Sequence, residues 1–457
     1  IRERSTLLRT APHLVDPLSC IMPTRKAFMK SRLVMSLGTA LNDMLSAHRN
    51  RGLDPTRRIP ACRTVSREEC LQTVPALSER DVTGGAIWHD AVGYDTERIV
   101  ISMVKDACDA GAVAANYLRA CELIMEEGNV VGIQAEDRLS GQRVAIHSEL
   151  VINAAGPWAA ELLQTAGAKL SLPCHHLALG INLILKRWPV EGIAAGLTAG
   201  SDTPSGGRLF FFVPWRGVTM AGTYYRPHEG PVDSAAVTDE DIDAYLAALN
   251  SCYPGVDLTR DDILLIHAGV IPATRAARAG EEPPLLRHYR LIDHGSADGV
   301  DGLLTVLGIK YTTARDVAQR TVTHAIARLD GPVVASTTSA RPLMGDVLGD
   351  LADFRSASFD RYSTHTSPAA IERLLRLYGG GIDAVLASGE AGPILEGSED
   401  VLTREIRHVI ETEMPQTLGD LIFRRTGLGS NRPTDPVLLR SCATLMGEAH
   451  HWDSARL

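Results

Sequence analysis

The chain has 457 residues, enough for two or three cooperating units rather than one small module. With 45% hydrophobic and 22% charged residues it has the make-up of an ordinary globular protein, which excludes a disordered or fibrous chain. A net charge of -9 argues against a nucleic-acid binder, whose affinity would rest on a broad basic face.

Residues 1 to 50 read as helical, with stretches punctuated around Pro12, Pro17 and Pro23 and a longer apolar-periodic run from Arg25 to Ala47. The first run (Leu7, Leu8, Ala11, Leu14) opens directly at Ile1 and presupposes something before it, so a missing N-terminal segment is expected. A Pro- and Arg-rich loop follows from Asp54 to Arg63. Thr96 is expected to cap a helix with Val100, Met103, Val104 and Ala107 on its apolar face and Gly111 as its stop. Three short strands then alternate with the turn signals Glu127-Gly128-Asn129 and Ser140-Gly141-Gln142, which spells a β-meander.

The meander runs into Leu150 to Ala155 (LVINAA), a buried-strand pattern bounded by Gly156-Pro157 and followed by a helix-like segment, Trp158 to Ala166, closed by Gly167. Such an order sets backbone N–H groups and a positive helix end beside any anion at the turn, although a plain βα connection has the same form. From Leu170 to Tyr225 the pattern is strand-rich (His176 to Leu185, Arg208 to Val213, Thr219 to Thr223), with Pro214-Trp215-Arg216-Gly217 joining the last two, and predicts an antiparallel sheet. Thr238 starts a helix with Ile242, Tyr245, Leu246 and Leu249 on one face. Strand and loop fill Asp261 to Tyr311, where Leu303 to Gly308 delivers a second glycine before Lys310-Tyr311-Thr312-Thr313 and a helix through Ile326. A Pro-, Ser- and Thr-rich stretch after Gly331 reads as a linker. Residues 367 to 457 are almost wholly helical, broken at Gly379 to Gly381 and Pro415, with Thr434-Asp435-Pro436 opening the last helix.

There is no GxGxxG after a strand, no Walker A, no HExxH and no GxSxG; Gly427-Leu428-Gly429 follows a helix and reads as a C-cap. Neighbouring histidines diverge on a strand or helix, so neither His175-His176 nor His450-His451 makes a metal site, and no metal is expected. The eight cysteines lack CxxC spacing and read as reduced thiols in a reducing compartment. No apolar run approaches the ~18 to 20 residues of a membrane span, so a cytoplasmic protein is expected, at most peripheral at the inner face of a membrane.

Three long motifs carry a family resemblance: VINAAGPWAAEL (Val151 to Leu162), FFVPWRGVTMAGT (Phe211 to Thr223) and VLGIKYTTARDVA (Val306 to Ala318). Together with Arg2 to Leu18 and Arg404 to Gly429, they resemble the flavin-dependent glycerol-3-phosphate dehydrogenases over nearly the whole chain. The resemblance implies an α/β architecture. Its parts would be an FAD-binding, DAO-like domain that is N-terminally incomplete (about 1–58, 96–169 and 300–330) and an antiparallel substrate sheet (about 59–95 and 170–299). A linker (331–345) would lead to a C-terminal helical domain (346–457). It also implies FAD as cofactor, a small-molecule substrate oxidised at a secondary carbinol, and a quinone or other electron acceptor. Ala155 and Gly156 would bring backbone close to FAD; Gly308, Lys310 and Thr312 would line the flavin edge; Ala120 would contact the adenine. Lys310 could also stabilise reduced flavin or an anionic substrate, against the alternative of a solvated helix-start lysine.

Three positions depart from the family pattern. Ile271 stands where the family has the arginine that clamps the substrate phosphate, Asn182 where it has a histidine, and Tyr225 falls in a changed GTTD-like hairpin. An amide orients a hydroxyl but does not take its proton. Lys310, Asn182 and Tyr225 are therefore the expected catalytic set, and the base is to be sought among His175, His176, His267 and Tyr225. Arg275 or Arg278 could replace the lost clamp. The alternatives are a related flavoenzyme acting on a non-phosphorylated polyol, hydroxy acid or amine, and a truncated, non-enzymatic remnant unable to hold FAD.

Overall fold

The computed structural model describes residues 1–25, 32–75, 77, 82–172, 174, 176–186, 192–198, 207–278, 281–332, 334–343, 351–386 and 392–453. In chain order its first elements are α1 (Arg2–Thr10), β1 (Val15–Arg25), α2 (Arg32–Leu45), β2 (Arg63–Val65), α3 (Arg67–Thr73), β3 (Val82–Gly93) and α4 (Thr96–Asp109). The meander β4 (Leu118–Glu126), β5 (Asn129–Asp137), β6 (Arg143–His147) leads to β7 (Val151–Asn153), a 3-10 turn at Gly156–Trp158 and α5 (Ala159–Gln164). Then come β8 (His176–Leu185), β9 (Ile193–Thr198), β10 (Leu209–Trp215), β11 (Val218–His228), α6 (Asp239–Cys252), β12 (Ile263–Ala273), β13 (Arg290–Asp293), α7 (His294–Asp298), β14 (Leu303–Leu307) and α8 (Tyr311–Arg328). Helices close the chain: α9 (Leu351–Tyr362), α10 (Pro368–Tyr378), α11 (Ile382–Leu386), α12 (Thr403–Thr412) and α13 (Pro436–His450).

Eight strands form one sheet in the order β12-β8-β11-β10-β9-β1-β3-β2, antiparallel except where β1 meets β9. The second sheet is β13-β14-β7, with β14 parallel to β7, and the third is the expected meander.

The helical expectation for residues 1–50 is corrected by β1, whose Pro17 and Pro23 had looked like helix punctuation. β1 pairs with β3 along its whole length but with β9 only from Ser19 to Ile21, so both prolines fall outside the β9 contact. A strand tolerates proline where no ladder bond is needed on that side.

One face of the large sheet is sealed by α6. Its Thr238 cap and Asp241 exchange both bonds of a capping box. Tyr245, Leu246 and Leu249 pack on Leu179, Ile181, Leu183, Phe210 and Phe212. Strand alternation turns Gly180, Asn182 and Ile184 the other way.

Helix α4 is capped by Asp95, whose carboxylate accepts from the Arg98 amide at 2.8 Å, rather than by Thr96. Its buried side is Arg98, Ile99 and Ser102, and Val100 is exposed, which corrects the expected apolar face. Arg98 is sunk because it reaches the helices after residue 351. It makes paired bonds to Glu413 at 2.7 and 2.8 Å, donates to the Leu377 carbonyl at 3.1 Å and lies 4.4 Å from the centre of the Tyr378 ring. Those helices have their own core of Ile371, Leu374, Ile382, Leu402, Ile406 and Cys442. The stretch 334–343 lies against α1, with the Leu343 amide donating to the Thr10 carbonyl and Arg9 to the Ser339 carbonyl. All eight cysteines are unbridged.

Candidate functional site

The β7 turn is pinned by a side chain that sequence reading passed over. Asn153, 2% exposed, donates from Nδ2 to the Ala159 carbonyl at 3.1 Å and accepts from the Ala155 amide at 3.2 Å. Gly156 then takes φ +57°, a left-handed conformation that favours glycine, and a Cβ built there would meet nothing within 4 Å.

β14 runs parallel to β7 with Thr305 opposite Asn153, so both strands end on the same side. Gly308 is exposed, and a Cβ there would meet only the Tyr289 Cβ, at 3.9 Å. Lys310 is the N-cap of the 18-residue α8 and supplies no side-chain cap; of the first-turn amides, that of Thr313 donates to the Lys310 carbonyl at 3.2 Å. Thr312 is exposed in that first turn, and the Lys310 side chain is exposed too. Beneath, fully buried His294 bridges Thr305 Oγ1 at 2.8 Å and Asp298 Oδ2 at 2.6 Å. Burial pushes the Asp298 carboxyl up, but bonds from Ser171 and His294 outweigh it and hold the group below its ordinary range. His294 was not singled out from the sequence; nothing marks it but the polar DHG turn between two strands.

A cavity of about 400 Å³ lies at these strand ends, lined by Gly156, Pro157, Leu307, Leu177 and Pro272. Unobstructed glycine turns and an uncapped helix start at the carboxyl ends of parallel strands fit the backbone-to-phosphate contacts of a dinucleotide. Ala155, Gly156, Gly308 and the first turn of α8 are the residues here that would hold FAD. Ala120 is exposed on β4, opposite Ala135.

The sheet face turned away from α6 carries the second half of the site. β12 pairs with β8 so that His267 stands opposite Asn182 and Gly269 opposite Gly180, and on the other side of β8 Tyr225 also faces Gly180. Two of the three glycines here, Gly222 and Gly180, are needed for close approach. A Cβ on Gly222 would sit 1.8 Å from Asn182 Oδ1, and one on Gly180 2.9 Å from the Tyr225 ring. Thr223 Oγ1 donates to Asn182 Oδ1 at 2.9 Å. His267 is half-buried and edge-on to Trp215, ring centres 6.1 Å apart.

Two cavities open on this face and share Met220: one of about 310 Å³ beside Asn182, Thr223 and Trp88, and one of about 390 Å³ beside His267, Thr96 and Glu97. The α8 turn reaches the second, since the Tyr311 phenol bonds the Thr96 side chain; burial and Glu97 raise its pKa against that bond.

The structure thus brings Asn182, Tyr225 and His267 onto one face and Gly308, Lys310 and Thr312 into one turn. No contact among the described residues joins Lys310 to Asn182 or Tyr225. Of the other base candidates, His176 is exposed at the start of β8 opposite Ala273, and His175 lies outside the described residues. Ile271 is half-buried opposite Ala178. Arg275 is engaged by Glu281 at 2.5 and 3.0 Å, and that bond draws the Glu281 carboxyl down to about 2. Among the described residues no three His, Cys, Asp or Glu side chains gather as a metal site.

Comparisons with known proteins identify the family. Residues 34–315 match the family described as FAD dependent oxidoreductase, and residues 336–457 match the C-terminal domain of alpha-glycerophosphate oxidase. The chain is 29% identical over 444 residues to a glycerol-3-phosphate dehydrogenase of Synechocystis, covering 94% of this chain and 77% of that protein. It is 27% identical to the aerobic glycerol-3-phosphate dehydrogenase of Bacillus subtilis, covering 93% and 75%. The crystal structure of a Bacillus halodurans glycerol-3-phosphate dehydrogenase complexed with FAD superposes with a TM-score of 0.77 at 25% identity, covering 100% of this chain and 82% of that one. The chain belongs to the family of FAD-dependent oxidoreductases.

Proposed function

We propose that this protein oxidises the secondary carbinol of glycerol 3-phosphate to the ketone in an FAD-dependent reaction and delivers the electrons to a quinone, working as a cytoplasmic enzyme peripherally attached to a membrane. The observation that carries the reading is the likeness to glycerol-3-phosphate dehydrogenases over 94% of the chain, which favours an enzyme over a remnant. When bound, FAD supplies the hydride acceptor.

The chain's own groups divide the remaining work. Asn182 has its carbonyl oxygen occupied by Thr223, so its Nδ2 is left to donate to the substrate oxygen and orient it. His267, one strand away on the same face, takes the hydroxyl proton. Tyr225, laid over Gly180, walls the site. The exposed ammonium of Lys310, at a helix start, attracts the anionic end of the substrate.

Ile271 and the Arg275–Glu281 pair favour a second reading, in which a non-phosphorylated polyol or hydroxy acid is the substrate. A guanidinium held by a carboxylate is not free to clamp a phosphate. Dye-coupled turnover with glycerol 3-phosphate, glycerol and 2-hydroxy acids decides between them. Turnover confined to glycerol 3-phosphate supports the first reading, and turnover confined to the uncharged or carboxylated compounds replaces it with the second.

A further inference from the structure

Where the large sheet meets the C-terminal helices, a buried histidine stands without a partner. His13, in the turn between α1 and β1, is 4% exposed, and neither ring nitrogen has a hydrogen-bond partner among the described residues. A neutral imidazole carries one donor and one acceptor, and leaving both unmet in the interior costs stability. Gly379, the C-cap of α10, lets the chain pass close to that ring: its φ is +53°, and a Cβ there would sit 2.8 Å from His13 Nδ1.

His13 lines a cavity of about 250 Å³ that opens between the start of β1, the 3-10 turn Pro55–Arg57 and helices α9 and α10. One wall is apolar, built from Pro12, Leu351, Phe354 and Leu375. The other carries three arginines, Arg57, Arg355 and Arg376, against two acids, Asp16 and Glu372. Asp16 takes Arg57 at 3.4 Å and Arg376 at 2.8 and 3.0 Å, and Arg355 pairs with Glu372 at 2.9 Å. Asp54, the next acid along the turn, accepts from the amides of Thr56 and Leu351 instead. Three cations against two acids leave one positive charge over in the cleft. Arg57 Nε is buried with no partner among the described residues, and Arg376 meets Asp16 through Nη1 alone. Unmet donors and a surplus cation on one wall, with hydrocarbon on the other, call for a molecule that is acidic at one end and apolar at the other.

We propose that this cleft binds a small organic anion, with its acidic group between His13, Arg57 and Arg376 and a short carbon body against Leu351, Phe354 and Leu375. Held there, the ligand ties β1 to α9 and α10. None of the residues lining this cleft belongs to the cavities beside Gly156, Asn182 or His267, so the inference stands apart from the proposed reaction.

Thermal melting of the purified full chain is followed against increasing butyrate, propyl phosphate, 1-butanol and inorganic phosphate at one ionic strength. At least one of the two organic anions is expected to raise the melting temperature saturably, as a ligand of the folded state does, and the tighter of the two tells a carboxylate from a phosphate ester. 1-Butanol should have no such effect, and inorganic phosphate should bind at least about tenfold more weakly than propyl phosphate. Arg376→Gln should weaken binding by about tenfold or more. Ala352 is exposed at the edge of the cleft, so Ala352→Trp should block it without removing a charge, which keeps the test open if Arg376→Gln folds poorly. Lys310→Ala, at the FAD turn, should bind as the parent does. No saturable stabilisation by either organic anion, equal stabilisation in Ala352→Trp and the parent, or a loss confined to Lys310→Ala would overturn the site. Inorganic phosphate binding as tightly as propyl phosphate would overturn the organic ligand.

Discussion

Replacing Glu413 by Gln removes half of the charge pair that joins α4 to the C-terminal helices. Arg98 and Glu413 side chains are both fully shielded from water, and a guanidinium cannot discharge itself by losing a proton. The variant keeps the shape of the carboxylate but takes away the charge paired with the guanidinium, whose other neighbours include the Leu377 and Arg425 carbonyls, the Tyr378 ring and, further off, the Asp95 carboxylate. Breaking a buried pair from one side costs about 3–5 kcal/mol, a large part of the ~5–15 kcal/mol that keeps a domain folded. Removing both partners for apolar side chains of similar volume costs far less, because no uncompensated charge remains. Urea unfolding followed by tryptophan fluorescence should therefore show a large drop in midpoint for Glu413→Gln and substantial recovery in Arg98→Met/Glu413→Leu. A Glu413→Gln midpoint within about 1 kcal/mol of the parent, or a double variant as unstable as the single one, would refute the argument.

In Gly222→Ala the new methyl would occupy the place of the Asn182 amide, 1.8 Å from Oδ1, so kcat/KM should fall by about one to two decades while the melting temperature changes little; an unaltered kcat/KM would mean Asn182 does not orient substrate. His267→Gln should lower kcat by about 10²–10⁴, and an unaltered kcat would assign the base elsewhere. His13 is buried with neither ring nitrogen hydrogen-bonded, and burial, helped by Arg98, Arg57 and Arg376, lowers its pKa from 6.5 to about 3. Between those values the unfolded chain takes up the proton and the folded one does not, so this contribution to stability is present above pH 6.5 and is lost as pH falls toward 3. The slope is about 1.4 kcal/mol per pH unit, and His13→Gln should flatten it; parallel slopes in parent and variant would contradict the assignment.

What the sequence made legible was mostly what depends on local pattern. Val151 to Gly156 and Leu303 to Gly308 announce themselves as apolar runs ending in glycine, and both became strand ends at one side of a sheet. Thr238 and the face of Tyr245, Leu246 and Leu249 followed from capping and a 3.6-residue period. What was not legible depends on distant partners. β1 was hidden because its prolines are harmless only given which edges β9 and β3 occupy. Nothing local marks Arg98 as buried, because the partner that takes it inside, Glu413, lies more than 300 residues away. His267 could be named as one of several candidate bases, but only the β12–β8 register sets it opposite Asn182. Of the apolar-periodic run expected from Arg25 to Ala47, Arg25 ends β1, residues 26–31 lie outside the described residues, and α2 is helical from Arg32 to Leu45, with a face whose direction the period alone does not give.

Anaerobic mixing of the FAD-loaded protein with glycerol 3-phosphate, followed through the absorbance band of the oxidised flavin, tests the proposed reaction most directly. The account predicts rapid, saturable bleaching that Asn182→Ala slows by at least tenfold while flavin content stays the same. Full flavin occupancy with no bleaching by glycerol 3-phosphate would contradict it.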